Sequence, residues 1–200
     1  MSSYPIASGG LPRESRIARA IYLGCAVIFL TALGGWALLA HQDSPVARRL
    51  MAQEQAALAD QQLAYRLAQL EVAEIGLSEL ARSRGASAEV KSCAEAVLGE
   101  HTRSLRELRR AAAKGGATLP QSEAQEYEDL RKQLASLNGR DFDRAYARNI
   151  VQIVEDRSEL LQSEGTSARG EELRKYEAKA AMAASAELHQ ARELADRLGQ

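Results

Sequence analysis

The sequence predicts an all-α protein: a bundle of five helices preceded by one N-terminal transmembrane helix. Two observations carry that reading. The uncharged run over 20–40, IYLGCAVIFLTALGGWALLA after Ala20, has the ~20-residue length an α-helix needs to cross a bilayer core. Residues 44–200 are rich in Ala, Leu, Glu, Arg and Gln and poor in β-branched runs, a composition that favours helix over a length sufficient for one domain with its own core. The four prolines, Pro5, Pro12, Pro45 and Pro120, all fall outside the expected helix interiors.

The N-terminal part reads as a membrane anchor. Arg13, Arg16 and Arg19 precede the apolar run and Arg48 and Arg49 follow it. The positive-inside rule then makes 1–19 a cytoplasmic tail and 20–40 an uncleaved signal anchor, with the rest on the periplasmic side of the inner membrane. Signal cleavage, giving a form secreted to the periplasm, is the alternative. The run exceeds the ~7–15 residues of a typical signal core, and Leu38-Leu39-Ala40 lacks a small residue two places before Ala40. Cys25 opens the run rather than following it, which excludes a lipid-attachment site, and with Cys93 it forms no metal-ligand spacing and no expected disulfide.

Residues 41–60 are expected as a helical stalk and 61–198 as the bundle. Helices are predicted at 46–84, 87–114, 122–137, 141–164 and 168–198, separated by Gly85, Gly115-Gly116, Asn138-Gly139, Gly165 and Gly170. Ser44 before Pro45, Ser87, Ser122 and Asp141 are the expected caps. Leu63, Leu67, Leu70, Leu77 and Ala81 form one apolar stripe, and Val90, Ala94, Val97, Leu105 and Leu108 the next. Phe142, Tyr146, Ile150, Ile153 and Leu160 continue the pattern, as do Leu173, Tyr176, Ala180, Ala183, Ala191 and Leu194. Each stripe is interrupted by one ionisable residue: Glu74, His101, Asp156 or Arg157, and Glu187.

Glu74 lies 11 residues before Gly85 and His101 16 after it, which puts the two within roughly 7.5 Å of one level and in reach of each other. Arg157 lies 8 residues before Gly165 and Glu187 17 after Gly170. A tight turn there would leave that pair ~13 Å out of register, so the turns alone do not assure a single compact cluster of all four.

Several segments together resemble a known bacterial family, the ferritin-like domain of unknown function often labelled a predicted outer membrane protein. They are Glu74-Ile75-Gly76-Leu77-Ser78-Glu79-Leu80-Ala81, Glu89-Val90-Lys91 with Glu100-His101, Thr118-Leu119-Pro120, Asn138-Gly139-Arg140-Asp141-Phe142-Asp143-Arg144-Ala145-Tyr146, and Ala191-Arg192-Glu193-Leu194-Ala195. The resemblance covers about 61–198 and implies a ferritin-like four-helix bundle with an additional short helix, in the bacterial envelope, without an established activity. The family pattern has a glutamate at Glu74 and an aspartate-histidine pair at Glu100-His101. Its second such pair is here Asp156-Arg157, its last-helix histidine is here Glu187, and its leucine-proline becomes Ala181-Met182.

The resemblance therefore implies a degenerate metal site whose candidate ligands are Glu74, His101, Asp156 and Glu187, with Arg157 as a structural ion-pair candidate. Di-iron and di-manganese bundles use two Glu-x-x-His motifs. None exists here, because Leu98 stands three before His101 and Ala186 three before His189. Either no cofactor is bound, or a divalent metal such as Fe, Mn or Zn. Arginine cannot ligate a cation, whereas its five donors can replace a metal's positive charge among carboxylates.

Other chemistry finds no support. Ser163, Ser167 and Ser185 have no histidine-acid partners, there is no glycine-rich phosphate loop, and Cys93 reads as a small core residue. Arg103, Arg106, Arg109, Arg110 and Lys114 are interspersed with Glu100 and Glu107 under a net charge of −1, a solvated face rather than a nucleic-acid surface. The function expected is a membrane-tethered periplasmic structural or protein-interaction module of unestablished activity, the alternative being a ferritin-like metal-binding or metal-dependent redox protein of the envelope. Expected partners are the membrane through 20–40 and a second copy or an envelope protein, Gly34-Gly35 permitting close helix packing.

Overall fold

The computed structural model describes residues 44–163 and 170–199. Five helices account for most of them: α1 (Pro45–Arg84), α2 (Ala88–Lys114), α3 (Gln125–Ala135), α4 (Gly139–Ser163) and α5 (Glu171–Gly199). The described residues contain no strand. Among them no helix is long and apolar enough to cross a membrane; the expected anchor at 20–40 and the tail at 1–19 lie outside the described residues. The chain divides into two units, Met1–Ala52 and Gln53–Gln200. Of the first, only 44–52 is described, as the opening turns of α1, where Ser44 Oγ accepts the Ala47 N–H at 3.1 Å. Pro45 at the first helical position loses nothing, since its missing donor would have no partner there.

In the second unit α1 and α2 form an antiparallel pair joined at Gly85. A Cβ at Gly85 would lie 2.7 Å from the Ala81 carbonyl oxygen and 3.0 Å from Val90 Cγ1, so the turn admits no side chain there. Ser87 caps α2 by accepting the Val90 N–H. Two expected caps fall elsewhere. Helix α3 starts after Ala124, with no side-chain cap, rather than after Ser122. Helix α4 starts at Gly139, whose φ of 61° is accessible to glycine at little cost. Asp141 therefore sits in the first turn of α4, where its charge suits the helix dipole.

Asp143 ties the start of α4 to the α1–α2 turn by accepting the N–H groups of Ala86 and Ser87, each at 2.8 Å. Arg84 answers from the other side, donating to the Ala135 and Leu137 carbonyls and to Asn138 Oδ1. Helices α2 and α4 thus begin at the same end and run in the same direction. The segment 115–138 has to traverse the bundle between them, and α3 lies within it. Gly76 makes room for α3 on α1: a Cβ there would meet Arg131 Cδ at 3.3 Å.

Leu63, Leu67 and Leu77 of α1, Val90 and Leu108 of α2, Phe142, Tyr146, Ile150 and Ile153 of α4, and Leu173 and Leu194 of α5 are buried in one core. Burial of such side chains contributes ~1.5–3 kcal/mol each. Helices α4 and α5 pair antiparallel. Arg144 Nε donates to the Leu198 carbonyl at 2.8 Å, and Arg192 pairs with Glu155 at 2.6 Å. That register differs by about nine residues from the one a tight turn at Gly165–Gly170 would impose, a shift of ~13 Å along the axis. The first turns of α5 lie beyond the end of α4 and pack on α1 and α2, with Gly170 N–H on Asp60 Oδ2 at 2.9 Å and Lys114 on Glu172 at 2.7 Å.

Candidate functional site

The α4–α5 register brings Arg157 level with Glu187, and both level with Glu74 and His101. The turns alone do not assure that these four meet; in the fold α1, α2, α4 and α5 each contribute to one buried cluster. Glu71, one helical turn before Glu74, joins it. Both glutamates are completely buried, because positions three apart share the inward face of α1.

His101 stands at the centre. Its Nδ1 lies 2.8 Å from Glu71 Oε2 and 2.5 Å from Glu74 Oε2, and its Nε2 lies 2.9 Å from Glu187 Oε1. Arg157 Nη1 donates to Glu74 Oε2 at 2.9 Å, and Nη2 donates to Glu187 Oε2. Glu71 Oε1 accepts from Tyr176 Oη and from Ser104 Oγ, each at 2.8 Å. Glu74 Oε1 and Arg157 Nε have no hydrogen-bond partner.

Three carboxylates and two basic groups share this volume, so their protonation is linked. Burial alone would discharge His101, but the charge of Glu74 and the hydrogen bonds to Glu187, Glu71 and Glu74 hold its pKa well above the ordinary 6.5. Burial would raise Glu71 and Glu187; hydrogen bonding to His101 and the charges of His101 and Arg157 outweigh it and hold both below 4.5. At Glu74 burial prevails over Arg157 and His101, and the pKa is raised. Glu74 is thus the carboxyl that most readily keeps a proton, which brings the cluster toward neutrality. Burial, followed by the charge of Glu71, pushes the Tyr176 hydroxyl well above 10, so it remains a donor.

Ligand atoms of Glu71, Glu74 and His101 lie within 4.8 Å of one another, close enough to converge on a metal ion. Arg157 Nη1 sits on two of the three residues, 2.9 Å from Glu74 Oε2 and 3.0 Å from His101 Nδ1. A guanidinium there repels a cation and takes the Glu74 Oε2 lone pair that a metal would use. With Arg157 in place this donor set does not fit a divalent metal.

Of the residues that the sequence suggests, Glu74, His101, Glu187 and Arg157 meet. Asp156 does not: it is half-buried on the side of α4 that faces α3, accepting from Tyr127 Oη at 3.2 Å and Gln152 Nε2 at 2.8 Å. Sequence reasoning passed over Glu71 and Ser104, and took Tyr176 only as core. The signal for Glu71 was present in a stricter repeat, Leu67, Glu71, Glu74, Ser78 and Ala81, spaced 4-3-4-3, all of them buried.

The family described as domain of unknown function (DUF4142) matches residues 46–194. Among solved structures the chain is similar to one described as the crystal structure of a DUF305 fragment from Deinococcus radiodurans, with a TM-score of 0.62 and 14% identity over 70% of this chain and 96% of that one. At that identity the likeness is one of fold. Comparison with curated proteins produced no match.

Proposed function

The chain belongs to the DUF4142 family, and we propose that it serves as a non-catalytic helical module, tethered to the inner membrane on its periplasmic side, with a charge network where a metal centre would otherwise stand. The observation that carries this reading is the position of Arg157, whose guanidinium bridges Glu74 and Glu187 and touches His101. It supplies from within the chain the positive charge that the carboxylates require. The shared direction of α2 and α4, with a long crossing between them, favours a ferritin-like bundle, since that class has one such connection. The anchor rests on the uncharged run at 20–40 and the arginines before it.

Metal binding is the second reading, favoured by the mutual approach of Glu71, Glu74 and His101. It requires Arg157 to withdraw. Elemental mass spectrometry on the untagged full chain, before and after loading with Fe, Mn or Zn, separates the two. No stoichiometric metal is expected; a stoichiometric metal that disappears in His101→Ala overturns the first reading in favour of the second.

A further inference from the structure

Among the described residues the exposed large hydrophobic side chains are Val46, Leu50, Met51, Leu58, Tyr65 and Met182, so all but Met182 lie between 46 and 65 on α1. Leu58 and Tyr65 are 55% and 46% exposed and lie seven residues apart. With Gln55, Gln62 and Gln69 they form the series Gln55, Leu58, Gln62, Tyr65, Gln69, spaced 3-4-3-4. In sequence the same step continues back to Met51. A stripe at 3.5 residues drifts only ~20° per heptad on a straight helix, so these positions share one face of α1, with the spacing of a coiled-coil seam.

We infer that this stripe is a homodimer seam: α1 pairs, parallel and in register, with α1 of a second copy. The composition of the stripe identifies the occupant. It alternates an apolar layer with a glutamine layer and carries no charge, in a chain whose residues are 26% charged. In a parallel pair, Leu58 meets Leu58 of the second copy, Tyr65 meets Tyr65, and each glutamine meets its own counterpart. A glutamine carries both donors and acceptors, so two identical ones satisfy each other. An antiparallel pairing would instead set glutamines against the apolar positions, leaving buried amides without partners. A like pair in register also places no equal charges opposite each other.

The surroundings fit a partner helix. Leu58, Gln62 and Tyr65 border a groove of about 520 Å³ whose far wall is Gly116, Ala117 and Thr118, after the end of α2. The seam ends where α3 begins to cover α1: Gln69 and Tyr127 line one pocket, and Gly76 lies under Arg131. From Gln55 to Gln69 the contact is about 21 Å long. That is a small interface, strengthened wherever two copies are held at a high local concentration.

The test uses the full chain in detergent, with Cys25→Ser and Cys93→Ser as background and single cysteines at Leu58, Tyr65 or Met182. Met182, 78% exposed on α5, is the control. Oxidation is expected to link two copies several-fold faster through Leu58→Cys and Tyr65→Cys than through Met182→Cys. Sedimentation is expected to show a dimer that Leu58→Glu/Tyr65→Glu converts to a monomer with the same helix content. Both substituted positions are exposed, so the fold survives the change. Cross-linking no faster than at Met182, as when the stripe rests on lipid or on another protein, overturns the proposal. So does a dimer that withstands the double substitution.

Discussion

Arg157 Nη1 and His101 Nδ1 stand 3.0 Å apart, two basic side chains from α4 and α2 held in contact inside the bundle. Alone they would repel strongly at that distance. They stay together because Glu71, Glu74 and Glu187 enclose both, each pairing with one or the other at hydrogen-bond distance. The five groups therefore act as one unit, and removing any member leaves the rest unbalanced in a medium that solvates charge poorly.

Arg157→Ala leaves three carboxylates facing one imidazolium. Breaking a buried pair by deleting one partner costs about 3–5 kcal/mol, and a loss of that order is expected in urea denaturation. Arg157→Lys should recover only part of it, because one ammonium cannot bridge Glu74 and Glu187 as a planar guanidinium does. An unchanged midpoint for Arg157→Ala would show that the network holds nothing together.

The charge on His101 should persist through neutrality. Its folded-state pKa is raised above 6.5, so its contribution to stability is fully present below 6.5 and is lost as pH rises through the folded value. Glu71 and Glu187, held below 4.5, contribute above 4.5, and their part is lost as pH falls through their folded values. An NMR titration of the imidazole carbon-bound protons should find His101 still charged above pH 6.5. A midpoint at 6.5 would contradict the linkage described.

Glu177 offers a separate reading of burial. It is 3% exposed and neither carboxylate oxygen has a hydrogen-bond partner. Burial, then the charge of Asp60, raises its pKa to about 7, against the pull of Arg174. A carboxyl raised in the folded state disfavours folding progressively as pH climbs from 4.5 through about 7. Glu177→Gln should therefore stabilise the domain at pH 8 and change it little at pH 5. Equal effects at both pH values would exclude an ionisation penalty at this position.

Asp143→Ala removes two charged acceptors from the Ala86 and Ser87 N–H groups. Losing hydrogen bonds to a charged group costs about 1.5–3 kcal/mol. Asp143→Asn, which keeps one acceptor oxygen, should fall between. Thermal unfolding measures the loss. Amide hydrogen exchange at Ala86 and Ser87 should quicken in the alanine variant, and unaltered exchange there would dissociate Asp143 from the turn.

Much of the fold was legible because its determinants are local. Helix ends at Arg84 and Lys114 fall where expected, since Gly85 and Gly115 stand directly after them. Ser44 and Ser87 cap as their positions suggest. Asp141 and Ser122 do not, because Gly139 and Ala124 already provide starting geometries that their neighbours can use. At the site, Glu74, His101, Glu187 and Arg157 stood out as polar interruptions of apolar stripes. Asp156 adjoins Arg157 in sequence, and a step of one residue turns a side chain ~100° around the helix, which carried it out to Tyr127 on α3.

By itself the sequence determined the helices, their inward faces and which inward positions would be ionisable, since period and composition act within a few residues. Only the tertiary structure decided that these positions coincide. The α4–α5 register is set by Arg144 on Leu198 and Arg192 on Glu155, contacts between residues 54 and 37 positions apart. No spacing rule along one helix encodes the axial offset between two. That offset places a guanidinium, and not a vacancy, among the carboxylates of Glu71, Glu74 and Glu187.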